Sequence, residues 1–115
     1  MKYLVFIIGL TVYAINSFAT DRVVQQNGPG GTYASISAAI TAASDGDLII
    51  INNRTDALPW YENLTVNKSL TFVSSVDIAQ WWMDGTISIT IADNRTVSFV
   101  GLKNTSGSGS ITCTG

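Results

Sequence analysis

The sequence predicts an all-β fold of the solenoid kind, with one short helix ahead of the strands. Apolar residues alternate with Thr and Ser through residues 63–66, 70–73, 87–91 and 96–100, and this period places one face of each strand inward and the polar face outward. The alternating segments also repeat. Leu64-Thr65-Val66-Asn67-Lys68-Ser69-Leu70-Thr71-Phe72-Val73 parallels Ile89-Thr90-Ile91-Ala92-Asp93-Asn94-Arg95-Thr96-Val97-Ser98-Phe99-Val100, with two extra residues in the turn. Leu64 then answers to Ile89 after 89 − 64 = 25 positions, and Phe72 to Phe99 after 99 − 72 = 27. A two-strand unit with a polar Asn-containing turn, recurring at that interval, marks a β-solenoid coil. A β-meander would alternate too, but its hairpins favour Asn-Gly or Asp-Gly turns, and Asp84-Gly85 is the one such pair between these strands.

In chain order, a β-prone stretch at 22–26 leads into Asn27-Gly28-Pro29-Gly30-Gly31, which suits neither helix nor central strand. No Gly-Lys-Ser/Thr follows it, so it is not a phosphate loop. A helix is expected over 36–43, because Ile36, Ala39, Ile40 and Ala43 fall on one face. Ser35 is placed to cap its N-terminus, and Gly46 is placed to stop it by taking a left-handed conformation. A helix this short and this poor in charge must lie on an apolar surface to persist. Strands then follow at 47–52 and in the repeating pairs, and residues 111–113 open a further one.

Composition excludes several classes of function. The 115 residues carry six Lys+Arg and eight Asp+Glu, a net charge of −2, and no histidine. Scattered cations do not make the basic patch that nucleic acid requires. Without histidine there is no Ser-His-Asp or Cys-His system and no His-ligated metal. One cysteine, Cys113, allows neither an intrachain disulfide nor a Cys-based zinc site, and it is expected as a small apolar residue facing a core. No cofactor is expected.

Residues 1–19 have the form of an export signal: Lys2, an apolar run from Tyr3 to Ile15, and small residues at Ser17 and Ala19. The run is shorter than the roughly 20 residues that span a bilayer. Cleavage after Ala19 would leave 115 − 19 = 96 residues, 20–115, as the solenoid domain. That product would be secreted or held at the cell surface, with no membrane segment after cleavage.

The stretch from Gly30-Gly31-Thr32-Tyr33-Ala34-Ser35-Ile36 through Asp45-Gly46-Asp47-Leu48-Ile49, followed by Tyr61-Glu62-Asn63-Leu64-Thr65-Val66-Asn67-Lys68-Ser69, resembles the opening of right-handed parallel β-helix proteins of the pectin-lyase-like superfamily. The resemblance covers about residues 22–102. It implies that the helix caps the N-terminal end of the solenoid, with Ser35, Ile36, Ala39, Ile40, Ala43, Gly46 and Asp47 as the cap. Ile36, Ala39, Ile40 and Ala43 would then face Leu48, Ile50 and the first coil. Such a cap covers apolar cross-section and unpaired strand edges. No comparable device follows residues 111–113, so further coils of the same chain are expected. The resemblance is specific for the fold and not for an activity, because enzymes and noncatalytic surface proteins share this opening.

No catalytic signature of the family's enzymes can be matched, so no catalytic residue and no metal site is assigned. Asp45 and Asp47 are expected to accept hydrogen bonds from turn amides, and Glu62 from amides at a coil edge. Two carboxylates at a turn are too few for calcium. Trp60-Tyr61 and Trp81-Trp82 lie 81 − 60 = 21 residues apart, close to one coil. They could stack on one edge as a platform for sugar rings, or bury apolar area against the flank of the solenoid, or meet a partner. Asn-x-Ser/Thr triplets at Asn53, Asn63, Asn67, Asn94 and Asn104 suit the turns of a β-helix and are not assigned as glycan acceptors. The expected function is an exported scaffold that binds a polysaccharide or another partner, with no self-contained catalysis. The alternatives are the N-terminal cap of a polysaccharide lyase or esterase whose catalytic coils lie beyond Gly115, and a purely structural module.

Overall fold

A computed structural model describes residues 19–77, 79–107 and 109–114. The export segment 1–19 therefore lies, except for Ala19, outside the described residues. The chain forms a parallel β-solenoid of about four turns. Strand β1 (Asp21–Val24) begins it, and helix α1 (Ile36–Ala42) follows. Each later turn contributes three strands. The first holds β2 (Asp47–Ile51), β3 (Trp60–Tyr61) and β4 (Leu64–Val66). The second holds β5 (Leu70–Ser74), β6 (Trp81–Asp84) and β7 (Ile87–Thr90). The third holds β8 (Val97–Phe99), β9 (Leu102–Asn104) and β10 (Ile111–Thr114). Strands stack in register into three parallel sheets, ordered β1-β2-β5-β8, β3-β6-β9 and β4-β7-β10.

The register corrects the repeat read from sequence. Phe72 stands beside Phe99 as expected, but Leu64 stands beside Ile87, not Ile89. The turn between the paired strands spans 97 − 89 = 8 positions in the second coil against 70 − 66 = 4 in the first, so the insertion is four residues and not two. The sheet β3-β6-β9 was not foreseen. Its strands are two to four residues long, too short for alternation to show.

Inward side chains fill a continuous core. Ile49 and Phe72 are fully buried in one column that continues to Phe99, and Leu64, Val66 and Ile87 line the opposite sheet. The Phe72 and Phe99 rings stack at 4.9 Å, with Trp81 6.1 Å from Phe72. Aromatic pairs at such separations add to the value of burial itself. In β2 the inward residues are Asp47, Ile49 and Ile51; Leu48 and Ile50 face outward and are half-buried. The helix therefore does not rest on Leu48 and Ile50. It packs on β4, β1 and β2, with Ile36, Ala39, Ile40 and Ala43 buried. β4 is the edge strand of its sheet, so α1 covers a place where another strand could pair. Cys113 pairs beside Ile89 but is exposed, contrary to the expected core position, because nothing among the described residues packs over that strand.

Corners between sheets are held by asparagines. The Asn53 amide donates to the Gln80 carbonyl (2.8 Å), and its oxygen accepts from the Trp82 N–H (3.1 Å). The Asn63 oxygen accepts from both the N–H and the hydroxyl of Thr86. The Asn104 amide donates to the Gly85 carbonyl. These bonds carry the ladder from coil to coil where the backbone turns and cannot pair with itself. Gly85 turns the chain from β6 to β7 with φ +154, and a Cβ there would land on the carbonyl oxygen of Glu62. The Asp84-Gly85 pair thus serves a solenoid corner rather than a hairpin.

Candidate functional site

Two groups of side chains stand out, one closing the solenoid and one lying on its surface. The first surrounds α1. The Ser35 hydroxyl accepts from the Ala38 N–H at 3.1 Å, with Ser35 in an extended conformation. The carboxylate of Glu62, between β3 and β4, accepts from the N–H groups of Ile36 and Ser37, both at 2.9 Å. At the other end the Lys68 ammonium donates to the carbonyls of Ile40 (2.8 Å), Thr41 (3.2 Å) and Ala43 (2.6 Å). The helix has no charge in its first or last turn. Its orphan amides and carbonyls, and its dipole, are met by an anion and a cation from the coil beneath.

Helix termination differs from expectation. Ala43 is the C-terminal cap, in an extended conformation, and Gly46 takes its positive φ three residues later. Gly46 shapes the turn into β2 instead of ending the helix. Asp47 closes that turn and is 2% exposed. It accepts from the N–H groups of Thr20 and Ser44, both 2.9 Å, and pairs with the Arg22 guanidinium at 3.0 Å. Burial pushes its pKa up, but the Ser44 and Thr20 amides and Arg22 outweigh burial and hold it below the usual carboxylate range. The Asp45 carboxylate accepts from the Ser69 N–H and pairs with Arg95. Each of these carboxylates is engaged by backbone amides or by an arginine.

The second group is the outward face of β3-β6-β9. The register sets Tyr61 beside Asp84 and Trp82 beside Lys103. Trp60 and Trp81 point the other way: they are 3% and 0% exposed. Their indole N–H groups donate to the carbonyls of Asn52 and Val100, each at 3.0 Å. The four-aromatic platform therefore narrows to Tyr61, 59% exposed, and half-buried Trp82. In the ladder Trp60 stands beside Met83 and Trp81 beside Leu102. Tyr61 and Trp82 are instead diagonal neighbours on adjacent strands, about 8 Å apart from strand spacing and rise. The Lys103 ammonium lies 4.7 Å from the Trp82 ring centroid. Beside Tyr61 and Asp84 opens a polar cleft of about 400 Å³ that also takes in Glu62, Asn63 and Thr86.

Sequence reasoning overlooked Asp84, Lys103 and Lys68. The available signal for Asp84 was the alternation of Trp81-Trp82-Met83-Asp84, which places Trp82 and Asp84 on one face once those residues are read as a strand. Among the described residues no cluster of His, Cys, Asp and Glu could hold a metal ion, and no helix is long and apolar enough to cross a membrane. Comparison of the chain with protein-family models, with curated proteins and with solved structures found no match.

Proposed function

We propose that the chain is an exported β-solenoid scaffold that binds a polysaccharide across the outward face of β3-β6-β9. The observation that carries this reading is the placement of Tyr61 and Trp82 on one sheet face with Asp84 and Lys103 between and beside them. Aromatic planes take the C–H faces of sugar rings, and neighbouring charged groups take hydroxyls; a few convergent polar groups among aromatics are the usual make-up of a ligand surface. The face is an open sheet surface, which suits a long polymer better than a small molecule. Kinship with the pectin-lyase-like superfamily is part of the reading. Its support is the order of strand, Gly-rich turn, Ile/Ala helix, Gly-Asp turn and Tyr-Glu ahead of the first full coil. Export rests on the pattern of residues 1–19.

Two experiments test the proposal. In a secreting host the processed product should begin at Thr20 by N-terminal sequencing; an intact Met1 on cell-associated protein would refute export. On a carbohydrate array the chain should bind, and Tyr61→Ala and Trp82→Ala should each weaken binding about tenfold while leaving the circular dichroism spectrum unchanged. Binding indifferent to both substitutions would remove this face as the site.

A further inference from the structure

We infer that the glycan taken by this face is an uncharged polysaccharide and not a polyanion such as a polyuronate or a sulfated chain. The inference rests on the binding reading above and adds the ligand's class. It comes from where the cations are. Of the six Lys and Arg residues, Lys2 lies outside the described residues. Arg22 pairs with Asp47 at 3.0 Å, Arg54 with Asp56 at 2.6 Å and Arg95 with Asp45 at 3.2 Å. Lys68 is held by three helix carbonyls. Each is already matched to an acceptor in its own coil or within two coils of it, and a polyanion would have to compete with that acceptor.

Lys103 alone belongs to the aromatic face, and there it lies over Trp82. Its charge is balanced on the same face by Asp84, one strand over and two residues along from Trp82's rung. The chain as a whole is net negative. A polyanion laid along the face would meet one ammonium and one carboxylate per aromatic pair, with no row of cations to release its counterions. A neutral chain faces no such repulsion. Its C–H surfaces find Tyr61 and Trp82, and its hydroxyls find an acceptor in Asp84 and a donor in Lys103.

Affinity electrophoresis of the purified exported chain tests this, with soluble neutral probes (β-glucan, xyloglucan, galactan) and anionic probes (polygalacturonate, heparin) cast in separate native gels. The expected result is retardation by at least one neutral probe, changing less than about twofold between 0.05 and 0.5 M NaCl, and lost with Trp82→Ala. Stronger retardation in the anionic gels, abolished by salt, would overturn the inference and leave the binding reading standing. Retardation in none of the gels would overturn the binding reading itself. The Trp82→Ala chain must keep its thermal transition, and Tyr61→Ala gives a second variant on the same face should it not.

Discussion

Asp47 shows how a single side chain ties the start of the solenoid together. One carboxylate joins Thr20, the turn amide of Ser44 and Arg22 on β1. Asp47→Asn keeps an acceptor but loses the charge, and should cost about 1–3 kcal/mol in urea unfolding. The sign of its pH dependence follows from a pKa held below the ordinary carboxylate value. Its contribution is full above the unfolded-state pKa, near 4, and is lost as pH falls through the folded value. Melts at pH 7 and pH 3 should therefore differ less for Asp47→Asn than for the native chain. Gly85 is the other demanding position. Gly85→Ala drives a Cβ onto backbone and should cost about 2–4 kcal/mol in the same assay. The turn role of Asp47 was legible in sequence, because a short acidic side chain beside Gly and a helix end bonds local amides, and Ser44 is one of its partners. Asp45 and Glu62 accept from amides 24 to 26 residues away, which no local pattern names. The inward turn of Trp60 and Trp81 was not legible. A two-residue strand carries no period, and a Trp beside polar residues reads as loop until the register is known.

At the scale of the element, α1 is a seven-residue helix that cannot stand alone. Its apolar face follows from spacing in the sequence, and so does its Ser35 cap. What the sequence concealed is that its charges come from elsewhere: Glu62 is 26 residues from Ile36, and Lys68 is 28 from Ile40. Non-local capping leaves no local motif to read. Glu62→Ala and Lys68→Met should each destabilise by about 1–2 kcal/mol. The double variant should lose less than the sum, since a helix detached at one end gains less from the clamp at the other. Strict additivity in denaturant melts would show that the two clamps act independently. Ile40→Asp should be far more damaging, placing a charge beneath the helix where Ile40 is 5% exposed; an unchanged cooperative melt would remove α1 from the stabilising core.

The whole molecule is a stack, and stability in a stack is set by neighbours. The alternation and the recurrence of Phe72 at Phe99 made that architecture legible, while the coil length at each corner depended on turns of unequal size that pattern alone cannot measure. Strands β2, β5, β6 and β7 have a paired neighbour on both sides, and most of their inward side chains are buried. Strand β10 is paired on one side and exposed at every residue. Amide exchange should follow this gradient, slowest for Ile49, Phe72 and Ile87 and fastest for Ile111–Thr114. Phe72→Ala removes the centre of the ring stack and should cost about 3–5 kcal/mol. Because Phe72 contacts Trp81 and Phe99 in two other strands, that loss should raise exchange in β5, β6 and β8 together. The clamp around α1 lies on the first coil, so Ser35 to Ala43 should keep more of their protection. Uniform loss of protection along the chain would mean that the four turns unfold as one unit, and the neighbour-by-neighbour account of the stack would fail.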